Sequence, residues 1–170
     1  QLKKVVDVPV IAAGHITPEI GEMAIRQGKL DFVSMGRALQ ADPDLPNKLA
    51  KGKEKEIRPC IYCNHCFETL SWADGVACVV NPSVGREKEF EIKKAAKPKK
   101  VIIIGGGPAG MEAARVAALR GHQVTLYEKE RKLGGQLILA AIPPYKKDIA
   151  ALNAFMINQV KKLKVKLVLG

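Results

Sequence analysis

The sequence VIIIGGGPAGM at residues 101–111 joins an apolar, β-branched run to a glycine-rich turn. Residues 101–104 predict a buried strand, because β-branched side chains favour strands. Gly105, Gly107 and Gly110 follow the spacing G-x-G-x-x-G, and a helix predicted over 111–120 ends at Gly121. A glycine motif of this kind between a strand and a helix is typical of folds that bind dinucleotides.

Each part of this turn has an expected role. Gly105 permits the tight turn, Gly107 lets a pyrophosphate approach the backbone, and Gly110 lets the helix pack closely on the strand. Pro108 and Ala109 lie within the turn, just before the predicted helix, and the free N–H groups at the helix start can bind phosphates.

The next predicted strand, 123–127, ends at Glu128-Lys129. The Glu128 carboxylate can accept hydrogen bonds from a ribose, or it is a solvated acid at the end of a strand. Gly135-Gln136, within the sequence LGGQ at 133–136, adds a second place where a ligand can approach the backbone. This second glycine pair favours FAD over a bare nicotinamide cofactor.

Four cysteines, Cys60, Cys63, Cys66 and Cys78, have the spacing C-x2-C-x2-C-x11-C. A close triple with one remote cysteine is typical of an iron–sulfur cluster. A structural zinc site more often has two C-x2-C pairs, so zinc and unligated thiols stay open as alternatives. Free thiols of this kind predict a reducing compartment, and hence a cytoplasmic protein.

The segment before the cysteines alternates strands and helices. Residues 8–13 and 30–35 predict buried parallel strands, which end at Gly14-His15 and at Gly36-Arg37. The helix between them begins at Thr17-Pro18-Glu19 and ends at Gly28, and a short interrupted helix is expected over 41–51. Glycines therefore follow both strands, where phosphate groups can approach.

The remaining segments complete the outline. Residues 52–98 lack apolar periodicity and predict irregular structure, with a lysine-rich linker at 93–100. The apolar residues of 146–164 recur with a spacing of about 3.5, which predicts an amphipathic helix, and residues 165–169 predict a strand.

Composition excludes several classes of protein. The 170 residues are 47% hydrophobic, which is typical of a folded domain rather than a disordered one. The net charge of +11 is compatible with nucleic-acid binding. However, no aromatic side chains interleave with the basic runs, so we expect small anionic ligands and no nucleic acid. The sequence predicts no membrane span and no secretory signal.

Three features occur in order along the chain. They are the pairs Gly14-His15 and Gly36-Arg37 after two strands, the cysteine set, and GGGPAG with YEK and LGGQL. Together they resemble one family. The chain is similar to the iron–sulfur flavoproteins of the Old Yellow Enzyme superfamily, which include 2,4-dienoyl-CoA reductases and trimethylamine dehydrogenases. The resemblance covers nearly all of the 170 residues. It implies an α/β fold in three parts.

Residues 1–51 would be the C-terminal end of an FMN-binding TIM barrel, namely its last two βα units. Residues 52–98 would hold a [4Fe-4S] cluster and a linker, and residues 99–170 would begin a Rossmann-like FAD/NAD(P)-binding domain. Only 59 residues precede Cys60, whereas a barrel needs about 250. We therefore expect the chain to be an internal part of a longer protein and inactive alone, its partner being the rest of that polypeptide.

The resemblance also implies site residues. Gly14, Gly36 and Arg37 would bind the FMN phosphate, as guanidinium groups bind phosphate through paired hydrogen bonds. A surface salt bridge is the alternative for Arg37. We assign no catalytic residue, and His15 is the nearest candidate. Tyr62 departs from the family, where a small residue, often glycine, is common.

The implied activity is electron transfer between NAD(P)H, FAD, the cluster and FMN, which reduces an activated C=C bond such as that of an enoyl thioester. The nicotinamide site would lie outside this chain, and some relatives bind only ADP in the FAD fold. The alternatives are an amine dehydrogenase of the trimethylamine dehydrogenase type, a four-cysteine zinc module with a nucleotide-binding fold, and an inert truncated piece that folds poorly.

Overall fold

The computed structural model describes residues 2–71 and 75–170, which form a mixed α/β fold with two parallel sheets. Strands β1 (Ile11–Ala13) and β2 (Phe32–Ser34) pair directly and in parallel, and helix α1 (Pro18–Arg26) connects them. Thr17 caps α1 as predicted, because its hydroxyl accepts a hydrogen bond from the Ile20 N–H at 3.4 Å. Both strands are shorter than the sequence predicted.

The second sheet has the order β3-β4-β5, and all its pairs are parallel. Its strands are β3 (Lys100–Ile104), β4 (Gln123–Glu128) and β5 (Lys166–Leu169). The helices of this half are α5 (Pro108–Leu119), α6 (Gln136–Ala140) and α7 (Lys147–Lys162). Helix α5 begins three residues earlier than predicted, since Pro108 suits a first helical position.

The sequence analysis missed several short helices. The short, interrupted helix expected over 41–51 corresponds to α3 (Leu45–Ala50), whereas α2 (Gly36–Ala41), which begins at Gly36-Arg37, was not predicted. Helix α6 was not predicted either. Helix α4 (His65–Leu70) lies within the segment predicted to be irregular, and residues 72–74 of that segment lie outside the described residues.

Two apolar clusters hold these elements together. One lies within the second sheet and its helices and includes Met111, Leu126 and Val160, each at most 1% exposed. The other joins Ala41 at the end of α2 to Val80 and to Phe155 on α7. Cys60 and Cys78 pack against this second cluster, so the cysteine segment lies between α2 and α7.

Arg58 contacts residues from several distant segments of the chain. Its backbone N–H donates to the buried Asp42 carboxylate at 2.7 Å, and its guanidinium donates to the carbonyl of Val80. The same guanidinium lies 3.7 Å from the Glu112 carboxylate on α5 and 5.5 Å from the Phe155 ring centroid. Burial lowers the pKa of Arg58 and the negative charge of Glu112 opposes that effect, while the side chain stays charged.

No helix within residues 2–71 and 75–170 combines the length and the apolar character that crossing a membrane would require.

We expect Arg58→Met to destabilise the protein by about 3 kcal/mol, because it leaves Glu112 without one cation and the Val80 carbonyl without its donor. Urea unfolding of the purified protein measures this change. Arg86→Met is the matched control, since Arg86 pairs with Glu89 on the surface and its loss should change stability little. Equal effects of the two substitutions would contradict the assigned role of Arg58.

Candidate functional site

The glycine turn between β3 and α5 is fixed by backbone hydrogen bonds. The Gly105 N–H donates to the Tyr127 carbonyl at 2.8 Å, and the Gly134 N–H donates to the Gly106 carbonyl at 2.8 Å. The second bond joins the GGGPAG turn to the later LGGQ segment. Gly107 directly precedes the first turn of α5, so the unpaired N–H groups at the start of that helix lie beside it.

The space around the glycines separates two roles. A Cβ on Gly110 would lie 1.9 Å from the Gly105 carbonyl oxygen, so only glycine permits this close packing. A Cβ on Gly105 or Gly107 would meet no atom within 4 Å. The open side of the turn therefore has room for a ligand, as the sequence motif predicts for Gly107.

Glu128, the last residue of β4, forms hydrogen bonds with the backbone of the glycine turn and of the residues after β4. Its carboxylate accepts hydrogen bonds from the Gly106 N–H at 2.6 Å and from the Glu130 N–H at 2.9 Å. These backbone N–H groups lower the pKa of Glu128, and that of Glu130 has a larger effect than that of Gly106. The carboxylate is therefore held in its charged form beside the turn.

The other predicted residues of this half lie around the same turn. Pro108 and Ala109 are exposed at the start of α5, and Gly135 immediately precedes Gln136, the first residue of α6. Lys129 is exposed just after β4. The structure thus places these predicted positions around one glycine turn, and it does not test what they bind.

Gly107→Ala and Gly110→Ala should separate binding from packing. The Gly107 variant should keep its stability, because its methyl group enters open space, but should weaken binding of a dinucleotide at the turn. The Gly110 variant should lose more than about 2 kcal/mol of stability, since its methyl group overlaps the Gly105 carbonyl. Thermal unfolding and titration with FAD measure the two effects. A strongly destabilised Gly107 variant would contradict this division.

Glu128→Gln should change the acid sensitivity of the protein. Since the pKa of Glu128 lies below its ordinary value of 4.5, the folded state binds this proton less readily than the unfolded state. The stabilisation is therefore complete above pH 4.5 and is lost as the pH falls through the lower folded-state pKa. Urea midpoints measured between neutral and acidic pH should fall less steeply for the variant than for the wild type, and parallel curves would contradict this expectation.

The four cysteines line one small cavity. Cys60, Cys63, Cys66 and Cys78 are all free thiols, and Gln40 and Arg37 from α2 line the same cavity. Within the described ranges, no three His, Cys, Asp or Glu side chains are arranged closely enough to form a metal site as they stand. The donor set nevertheless fits a thiolate-bound cluster, since four cysteines surround one space.

The surroundings of Cys60 are apolar. Burial raises the pKa of its thiol, although the Tyr62 N–H donates a hydrogen bond to its sulfur at 3.3 Å. Val79 and Val80, which follow Cys78, line the cysteine cavity and also a second cavity. Pro108 and Ala109 of the glycine turn line that second cavity too. Two valines therefore line the cavities on both sides, next to the cysteines and next to the glycine turn.

Gly14 and Gly36, at the ends of the first two strands, are both open to a ligand. A Cβ on either glycine would meet no atom within 4 Å. Arg37, the first side chain of α2, lies over the rings of Tyr62 and Phe67, and its Nη1 donates to Asn64 Oδ1 at 2.5 Å. The sequence analysis missed these contacts, although Tyr62 and Asn64 directly flank Cys63.

A larger cavity of about 570 Å³ lies beside these turns. His15 and Tyr62 line one side of it, and Ala151, Phe155 and Asn158 of α7 line another. The His15 and Tyr62 rings stack at 3.5 Å between centroids.

Family profiles match two separate segments of the chain. Residues 1–56 match the NADH:flavin oxidoreductase / NADH oxidase family, and residues 100–162 match the FAD dependent oxidoreductase family. The chain belongs to this group of flavin oxidoreductases. The resemblance to the Old Yellow Enzyme flavoproteins is thereby confirmed.

Individual proteins agree with this assignment. The chain is 49% identical to the cinnamate reductase of Clostridium sporogenes over 99% of its own length and 26% of that protein's. It matches the structure of a 2-naphthoyl-CoA reductase with a TM-score of 0.93 and 38% identity, covering 99% of this chain and 26% of that one. For histamine dehydrogenase from Rhizobium sp. 4-9 the TM-score is 0.91 at 29% identity, covering 99% and 25%. The chain thus spans about a quarter of the length of the relatives it matches.

Proposed function

We propose that this chain is the central part of a multi-cofactor flavin oxidoreductase that passes electrons between NAD(P)H, FAD, a [4Fe-4S] cluster and FMN. Residues 1–51 would be the end of an FMN-binding TIM barrel. Residues 52–98 would hold the cluster, and residues 99–170 would begin a Rossmann-like FAD/NAD(P)-binding domain. The proposal rests on the flavin oxidoreductase families that match both ends of the chain.

The observation that best supports the proposal is the order of the sites in space. Arg37 at the end of the first sheet lines the cysteine cavity, and Val79 and Val80 line both that cavity and the one reached by Pro108. The sites for two flavins and a cluster would therefore be neighbours in the order that electron transfer requires.

The residues present fit these groups. Gly14, Gly36 and Arg37 would hold the FMN phosphate, the four cysteines would ligate the iron, and the turn at 105–110 with Glu128 and Gly135 would hold FAD. When bound, flavins exchange two electrons with nicotinamide and single electrons with a cluster, which is the chemistry that these groups supply. The chain itself would bind and orient them, and Val79, Val80 and Ile61 supply apolar side chains to the cysteine cavity.

The substrate would be a small molecule with an activated C=C bond, such as an enoate or an enoyl thioester. This part of the proposal is supported by relatives named for the reduction of cinnamate and of 2-naphthoyl-CoA. The substrate pocket would be supplied by further chain.

Exposed apolar side chains support the presence of such further chain in the working protein. Ile11 and Phe32 on the first sheet are 64% and 57% exposed, and Ile104 on the second sheet is 88% exposed. Side chains of strands are seldom left so open to water, because burying them is favourable. We therefore propose that other segments of the same polypeptide cover both sheets.

An amine dehydrogenase is the second candidate, since about a quarter of histamine dehydrogenase is similar in structure to this chain. The two candidates differ in the direction of electron flow. A reductase accepts electrons from NAD(P)H and is reoxidised by an enoate. An amine dehydrogenase is reduced by an amine and does not respond to NAD(P)H.

Anaerobic purification of the full-length protein tests which cofactors it holds. We expect about four iron and four sulfide atoms per chain, together with FMN and FAD released on denaturation. Cys66→Ala should lose iron and sulfide and keep FAD, because the glycine turn is a separate site. Ser71→Ala, an exposed change just after α4, should keep all of the cofactors.

Stopped-flow spectra of the same protein test the reaction. Bleaching of the flavin bands by NAD(P)H and their return with cinnamate or an enoyl thioester would support the reductase. Bleaching by an amine alone would support the second candidate. A colourless protein with one zinc ion per chain would overturn the redox function altogether and favour the zinc module.

A further inference from the structure

We propose that Tyr62 and Asn64, which flank Cys63, are positioning residues for phosphate binding, because they hold the Arg37 guanidinium at the ends of the first two strands. The inference rests on the proposed function, in which Arg37 binds the FMN phosphate. It goes further by making residues of the cysteine loop part of the phosphate site.

Three side chains of the cysteine segment surround the Arg37 guanidinium. Asn64 Oδ1 accepts a hydrogen bond from Nη1 at 2.5 Å. The guanidinium carbon lies 5.0 Å from the centroid of the Tyr62 ring and 5.7 Å from that of Phe67, both within the range of cation–π attraction. An arginine held in this way is oriented before any ligand arrives.

Tyr62 also reaches the other strand end. Its ring stacks on the His15 ring at 3.5 Å with an angle of 29° between the planes, and His15 directly follows Gly14. One aromatic side chain therefore contacts the turns after both β1 and β2. Removing this ring would free the two turns that are expected to hold one phosphate.

The backbone at Tyr62 and Asn64 adopts a conformation that is uncommon for residues other than glycine. Tyr62 and Asn64 have φ angles of 51° and 62°, in the left-handed region that favours glycine. A tyrosine in this conformation is unfavourable by itself, so contacts made by its ring must compensate. The stack on His15 and the contact with Arg37 are such contacts.

The remaining donors of Arg37 suit a phosphate. A guanidinium has five N–H donors, and Asn64 Oδ1 takes a hydrogen bond from one nitrogen only. The other donors can form the paired hydrogen bonds that arginine makes with phosphate oxygens. A fixed guanidinium loses less freedom on binding than a mobile one, which strengthens binding.

The test compares FMN with riboflavin, which lacks the phosphate, on the deflavinated full-length protein. Tyr62→Gly and Asn64→Gly remove the side chains and keep a backbone that adopts positive φ easily. We expect each variant to weaken FMN binding about tenfold, equivalent to about 1.4 kcal/mol, and to change riboflavin binding less than about twofold. Flavin fluorescence titration gives both affinities, and iron analysis runs on the same samples.

Conservative variants and a matched control complete the design. Tyr62→Phe keeps the ring and should bind FMN as the wild type does. Asn64→Asp keeps the acceptor but adds a negative charge beside Arg37, so it should weaken FMN binding more than riboflavin binding. Phe90→Leu is the control, because Arg86 lies over Phe90 at 4.4 Å in an equivalent but remote pair. In an Arg37→Ala background, Tyr62→Gly should have no further effect on FMN affinity.

The outcomes separate this inference from the proposed function. If wild-type protein contains iron and FMN but the glycine variants bind FMN normally, the positioning role is overturned and the proposed function stands. Equal losses of FMN and riboflavin affinity, or a full further loss in the Arg37→Ala background, overturn it in the same way. If the wild-type protein binds no FMN, the positioning role and the proposed function are both overturned.

Discussion

The arrangement of the whole chain depends on Arg58, a charged side chain placed where three segments meet. Its backbone contacts Asp42, and its guanidinium contacts Val80, Glu112 and Phe155. Asp42 is only 4% exposed, and besides the Arg58 N–H it accepts a hydrogen bond from Lys48 at 2.5 Å. Buried charges are costly unless every partner is present, so this junction admits few alternative packings.

A fixed junction matters because the cysteine cavity and the cavity next to it each take residues from more than one segment of the chain. The cysteine cavity needs α2 for Arg37 and Gln40, and the cavity next to it needs both Val80 and the start of α5. Glu112, one turn into α5, is held by Arg115 at 2.7 Å as well as by Arg58. Burial acts to raise the pKa of Glu112, but these two arginines outweigh it and the net pKa is lowered. The carboxylate therefore stays charged and keeps α5 against the cysteine segment.

The sequence predicted those features that depend on neighbouring residues. The β3–turn–α5 unit follows from apolar β-branched residues and glycine spacing, and α1 follows from Thr17 and Pro18. Helix α4 and the beginning of α2 at Gly36 were missed, because short helices lack the periodicity that reveals longer ones. The contacts of Arg37 with Tyr62 and Asn64 join residues more than 20 positions apart, and nothing in local spacing predicts them.

The two halves of the chain use the left-handed backbone conformation in opposite ways. At Gly105, with φ of 101°, the turn carries no side chain and leaves open space where a dinucleotide is proposed to bind. At Tyr62 and Asn64 the same region of φ carries side chains that contact His15 and Arg37. A bare backbone suits direct approach of a ligand, whereas a side chain in that conformation must be compensated by what it contacts. The unusual tyrosine between two cysteines is therefore best explained by the turns that it joins.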